Sequence, residues 1–129
     1  MTTDFFLCEI ILESLADTTC IDSIQGYLIK TRAAEMPKER FPLWHIHRYR
    51  LPREQVLRVT PLIEKSLGSG EWYVHLFSEK NDELFVIIKG RTFRLPKIRN
   101  NSWDEMIRYG ESVGLGRRWT ESIPVKLPE

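Results

Sequence analysis

A chain of 129 residues with 42% hydrophobic and 29% charged side chains has the size and composition of one globular domain, not of a disordered or fibrous protein. Its net charge of +1 supplies no global field to draw it onto DNA or an acidic membrane, and no apolar stretch approaches the ~18 residues that a membrane-spanning helix requires. Cys8 and Cys20 match no zinc or thioredoxin spacing, and a start that lacks a basic, uninterrupted apolar leader predicts a cytoplasmic chain with both thiols reduced.

Residues 1–29 hold Asp4, Glu9, Glu13, Asp17 and Asp22 but no Lys or Arg, so the remainder carries a net +6. This predicts that the first segment lies against a basic surface of its own fold; the alternative is a basic face kept for a polyanion. Phe5–Leu12 suits a strand or a buried helical turn, and periodicity does not choose between them. Ile21–Gln25 suits a short helix ended by Gly26, Tyr27–Ala33 alternates as a strand, and Glu35–Pro42 is a charged, proline-flanked loop.

Trp44–Leu51 reads as a strand stopped by Pro52, which also suits the first position of a helix. The helix predicted over about 53–67 puts Val56, Val59, Ile63 and Leu67 on one face and ends at Gly68 and Gly70. Pro61 inside it predicts a kink, or two short helices with Thr60 capping the second. Three strands follow. Glu71–Ser78 alternates, Leu84–Ile88 is continuously apolar and therefore central, and Arg91–Leu95 returns from a Lys89-Gly90 turn as an edge strand. Ser102-Trp103-Asp104-Glu105 reads as a capping box opening a helix with Trp103, Met106, Ile107 and Val113 on its buried stripe, ended by Gly114. Tyr109-Gly110 inside that helix predicts close packing on the sheet, and the tail from Arg117 is expected to be extended.

The order β-α-β-β-β-α from residue 44 predicts an α+β domain: a mostly antiparallel sheet with helices on one face, compatible with a variant of the ferredoxin-like arrangement. Its β-α-β unit would make the strands at 44–51 and 71–78 parallel, and potential neighbours. Trp44-His45-Ile46-His47, Trp72-Tyr73-Val74-His75, the hairpin Phe85–Phe93 and Trp103 with Tyr109–Leu115 together resemble a family of small uncharacterised prokaryotic proteins. The resemblance covers roughly residues 44–116 and implies no reaction, cofactor or catalytic residue.

Three constellations could carry function. His45 and His47 project from one side of a strand, and with His75 on an adjacent strand of matched register they would form a three-nitrogen site for Zn²⁺, Fe²⁺ or a similar divalent ion, as in a metal-dependent enzyme. Tyr49, Tyr73 and Phe77 would line the same face, giving a module that binds a ligand or partner through aromatic and histidine side chains. The competing reading is that these imidazoles merely stack on aromatics within the sheet. Lys89, Arg91, Arg94, Lys97 and Arg99, with Phe93 among them and Arg48, Arg50 and Arg53 nearby, could track a nucleic-acid backbone. Near-zero net charge and the lack of an RNA-binding signature argue against that, and basic residues on an edge hairpin also guard against aggregation. There is no phosphate-binding glycine loop, dinucleotide fingerprint or nucleophile elbow. Exposed sheet edges would let a second copy pair as a homodimer.

Overall fold

The computed structural model describes residues 4–127. Six antiparallel strands form one sheet: β1 (Phe5–Ile11), β2 (Leu28–Glu35), β3 (Leu43–Pro52), β4 (Val74–Ser78), β5 (Leu84–Ile88) and β6 (Arg91–Leu95), in the spatial order β2-β3-β1-β4-β5-β6. The helices are α1 (Arg53–Ser66), α2 (Asp104–Ser112) and the single turn α3 (Arg117–Thr120), with a run of 3-10 turns over Thr18–Tyr27. The fold is thus α+β, as expected. No helix among the described residues is long and apolar enough to cross a membrane.

Phe5–Leu12, ambiguous in sequence, supplies the strand on which the sheet is built. β1 pairs with β3 through Cys8↔Tyr49 and Ile10↔His47, and with β4 through Phe6↔Ser78 and Cys8↔Leu76. β3 and β4 therefore run in the same direction, as the β-α-β reading required, but they are not neighbours: β1 lies antiparallel between them. This is a split β-α-β unit.

Strand alternation sorts the core. Phe6, Cys8 and Ile10 of β1 join Tyr49, Leu51, Leu76, Phe85 and Ile87 on one face, where Val56, Val59 and Ile63 of α1 and Ile21 and Ile24 of the 3-10 run cover them. Leu84, Val86 and Ile88 of β5 point the other way, to Phe93, Leu95, Trp103, Met106 and Ile107. The helices therefore divide between the two faces rather than sharing one. We call these the α1 face and the α2 face.

Helix α1 runs unbroken through Pro61, with Glu54 in its first turn and Lys65 in its last, the signs favoured at each end. Pro61 lies on its solvent side with the exposed Leu57, so the Leu57 carbonyl that loses its partner can take water instead. The capping box at Ser102 does not form. Asn100 caps instead, accepting from the Ser102 N–H at 2.9 Å, while Glu105 pairs with Arg91 on β6. Val113 is exposed rather than buried, and the tail turns into α3 where extension was expected. Gly110 packs as anticipated: a Cβ there would lie 3.2 Å from Thr120 Cγ2 and 3.6 Å from Ile88 Cδ1. At the β5–β6 turn Gly90 has φ +88°, and Tyr109 donates to the Lys89 carbonyl at 2.7 Å. Strand β6 is an edge and β5 is buried on both faces, both as predicted.

Candidate functional site: an aromatic cavity on the open half of the sheet

The acidic N-terminal segment lies against basic partners of its own fold. Asp4 pairs with Arg53 at 3.3 Å, Glu9 with Arg32 at 3.1 Å and Arg48 at 3.0 Å, and Glu13 with His45 at 2.7 Å. The basic residues singled out in the sequence do not gather on one face. Arg91 lies 4.4 Å above Phe93 on the α2 face and pairs with Glu105, whereas Arg94 points to the α1 face and pairs with Glu83. Lys97 donates to the Ser78 carbonyl at 2.9 Å and Arg99 to the Glu121 carbonyl at 3.2 Å. Arg50 holds Glu79 at 2.8 Å, and Arg53 also holds Glu83. Lys89 sits exposed at the turn. Basic residues contiguous in sequence are thus dispersed over two faces, because alternate residues of one strand point oppositely.

The three histidines are not brought together either. His45 and His47 share the α1 face with Tyr49, since Ile10↔His47 and Cys8↔Tyr49 are cross-strand pairs on that face. His75 continues the Cys8↔Leu76 register opposite Glu9 and points to the α2 face. Among the described residues no group of three His, Cys, Asp or Glu side chains could hold a metal. The three-nitrogen metal site is therefore corrected. His45 is exposed and bonded through Nδ1 and its backbone N–H to Glu13. His47 Nδ1 lies 3.3 Å from the Tyr49 hydroxyl, which also accepts from Gln25 at 3.2 Å. Tyr49 is fully buried in the α1 core and so is separated from Tyr73 and Phe77.

What does converge is Tyr73, His75 and Phe77, a continuous stack on the α2 face. His75 lies 5.8 Å from the Tyr73 ring and 5.9 Å from the Phe77 ring, nearly parallel to the latter. Burial drives the His75 imidazole down to a pKa of about 4, with the Glu9 carboxylate pulling weakly the other way, so it is neutral near pH 7.

Helices α2 and α3 and the residues around them cover β4–β6 on this face and stop short of β2–β3–β1. A cavity of about 340 Å³ opens where the cover ends. Its floor is the sheet itself: Glu9 and Ile11 of β1, Arg32 of β2, Trp44 and Ile46 of β3, and His75 of β4. Its walls are Phe41 from the β2–β3 loop, Trp72 and Tyr73 from the α1–β4 connection, and Trp119 from α3. Three of the four tryptophans thus meet in one cavity. The Trp44 and Trp72 rings pack edge to face at 5.3 Å, and Phe41 leans on Trp72 at 6.3 Å.

The polar groups of the floor are set in the sheet. Burial works to raise the Glu9 pKa, but hydrogen bonds and charge from Arg32 and Arg48 outweigh it and hold the carboxylate below its usual range. At the rim, the Trp119 indole and then Arg118 hold Glu71 ionised, tying α3 to the α1–β4 connection. Two buried nitrogens of cavity residues, Trp44 Nε1 and His75 Nε2, have no hydrogen-bond partner among the described residues. Leaving a buried polar group unpaired costs roughly 1–3 kcal/mol, so each is a local cost of the packing beneath the cavity.

Trp119 and Arg32 gave no functional signal in the sequence. Glu9 did carry one: a lone acid in the apolar run Phe5–Ile11 must be paired if that run is a buried strand. Compared with models of known protein families, with curated proteins and with solved structures, the chain matches none.

Proposed function

We propose that this chain is a binding module for a small planar organic molecule, seated in the aromatic cavity on the open half of the α2 face. One observation carries the reading: three tryptophans and Phe41 line a cavity of about 340 Å³ above a sheet floor whose polar side chains are Glu9, Arg32 and His75. Binding pockets are concave and mostly apolar with a few fixed polar groups, and this volume lies in their ordinary range. Flat aromatic walls favour a flat guest, because stacking adds to the burial of apolar area. Of the residues first singled out, Tyr73 and His75 belong to this site; Phe77 supports the imidazole from behind.

The test uses naphthalene-2-carboxamide, an uncharged planar probe, followed by the indole N–H resonances of the protein. Those of Trp44, Trp72 and Trp119 should shift together, while that of Trp103, bonded to the Pro96 carbonyl at 2.8 Å, should stay in place. Filling the cavity by Ile11→Trp should abolish the shifts. No shift at the three cavity indoles, or equal shifts in the filled variant, would overturn the reading.

A further inference from the structure

We infer that the exposed edge of β2 pairs with the same edge of a second copy of this chain, antiparallel and centred on Ala33, so that two sheets become one. The inference goes beyond the reading of the cavity and does not depend on it. Two observations carry it, the contrast between the two edges of the sheet and the order of charges along β2.

The edges of the sheet are β2 and β6. β6 is five residues long, carries Arg91 and Arg94 and runs into Pro96. Short length, charge and proline are devices that keep an edge from pairing. β2 has eight residues, Leu28–Glu35, and no proline. Its one irregularity against β3 lies at its start, between Leu28 and Lys30; from there to Glu35 the pairing is regular. Lys30, Thr31, Arg32 and Ala33 are exposed, and among the described residues no strand pairs with the outer side of β2. Such an edge presents a row of N–H and C=O groups that another strand can meet.

The charges of β2 do not bar a second copy, because their order suits one. Residues directly opposite in an antiparallel pair share a sheet face. Thr31, Ala33 and Glu35 share the α1 face with His47, His45 and Leu43; Lys30, Arg32 and Ala34 share the α2 face with Arg48, Ile46 and Trp44. A two-fold axis at Thr31 would oppose Lys30 to Arg32, and one at Arg32 would oppose two arginines. One at Ala34 would oppose Thr31 to Pro37, which has no N–H to give. An axis at Ala33 opposes Arg32 to Ala34 and Thr31 to Glu35, twice each, with Lys30 against Met36. The Thr31 hydroxyl then has a carboxylate to donate to, and each Arg32 stays with Glu9 of its own chain, 3.1 Å away. The open half of the α2 face ends at β2. Pairing there sets two open halves side by side, with Arg32, which lines the cavity, beside the seam.

The experiment is sedimentation equilibrium of the full chain at neutral pH. The parent should show a monomer–dimer equilibrium with a dissociation constant in the micromolar range, as one strand pair is a small interface. Ala33→Lys and Ala33→Glu each set like charges face to face at the axis, and each should raise that constant at least about tenfold. Ala33 is exposed, so thermal unfolding of both variants should match the parent's. An equimolar mixture of the two should restore the dimer, since the charges at the seam are then opposite. A parent chain still monomeric at about 1 mM would overturn the inference. So would a dimer that both variants leave intact, as pairing through β6 would give, or a mixture no tighter than either variant alone.

Discussion

The α1 face and the α2 face of the sheet meet the same problem, the covering of six strands, and reach different ends. On the α1 face a fourteen-residue helix and a ten-residue 3-10 run lie over the middle of the sheet, and Val56, Val59 and Ile63 are fully buried there. On the α2 face a nine-residue helix and one further turn cover β4–β6 and leave β2–β3–β1 open. The difference is one of material, and it leaves tryptophan rings to line a hollow that no element fills. A sheet covered across the middle of one face can leave half of the other for a guest, because the core beneath α1 already holds its central strands together.

Truncations should expose this asymmetry most strongly. Ile63→Ala on α1 should cost about 2–5 kcal/mol in urea unfolding, since it opens a void in a close-packed interior. Trp119→Ala, a far larger deletion beside the cavity, should cost less than about 1 kcal/mol, because the residue is 36% exposed and borders space already empty. Equal losses would mean that the cavity wall is as much a part of the core as α1 is.

The next effect is a pH dependence confined to the α2 face. His75 takes its proton near pH 4 in the folded chain, against 6.5 unfolded. Between those values the unfolded state binds more protons. The stability due to the neutral imidazole is therefore whole above about pH 6.5 and is lost as pH falls toward 4, about 3 kcal/mol in all. Asp4, Glu9 and Glu13, whose pKa values are lowered in the fold, add losses of the same sign only below their own ordinary range of 3.8 to 4.5. Unfolding free energies measured from pH 7 down to 5 should fall for the parent chain and stay nearly flat for His75→Phe, which keeps the stack with Tyr73 and Phe77.

A smaller effect sharpens the comparison within the α2 face, between its covered and its open half. Gly110→Val would drive side-chain atoms into Thr120 and the backbone of Leu115, separating α2 from α3 at a cost of about 1–3 kcal/mol. Since α3 carries Trp119, the same variant should also weaken binding of naphthalene-2-carboxamide. Unchanged stability in thermal unfolding would show that α2 and α3 are not packed as described.

Much of this architecture was legible locally. Leu84–Ile88 and Arg91–Leu95 have the predicted bounds, α1 ends within a residue of its expected limit, and Gly114 closes the region of α2. Each of these signals acts over a few residues: an apolar run, a positive-φ glycine, a proline that cannot continue a strand. The candidate site was less legible because its parts are distant in sequence. Glu9, Arg32, Trp44, Trp72 and Trp119 come from five separate segments, and of the cavity residues only His75 and Tyr73 were expected in a binding site. The capping box failed for a related reason. Arg91, across the chain on β6, competes for the Glu105 carboxylate, and Asn100 takes over the local role.

By itself the sequence determined which residues of one strand share a side, where the helix from residue 53 and the β5–β6 hairpin lie, and that the acidic first segment had bases within the fold to pair with. Only the tertiary structure decided which strands adjoin and in what register. β1 enters between β3 and β4 with a register that turns His47 to one face and His75 to the other. Side chains alternate with a period of two, so a slip of one residue in either pairing would exchange those faces. No pattern inside a single strand can fix that choice; it is made by the pairing of strands remote in the chain and by the helices that then cover, or leave open, each side.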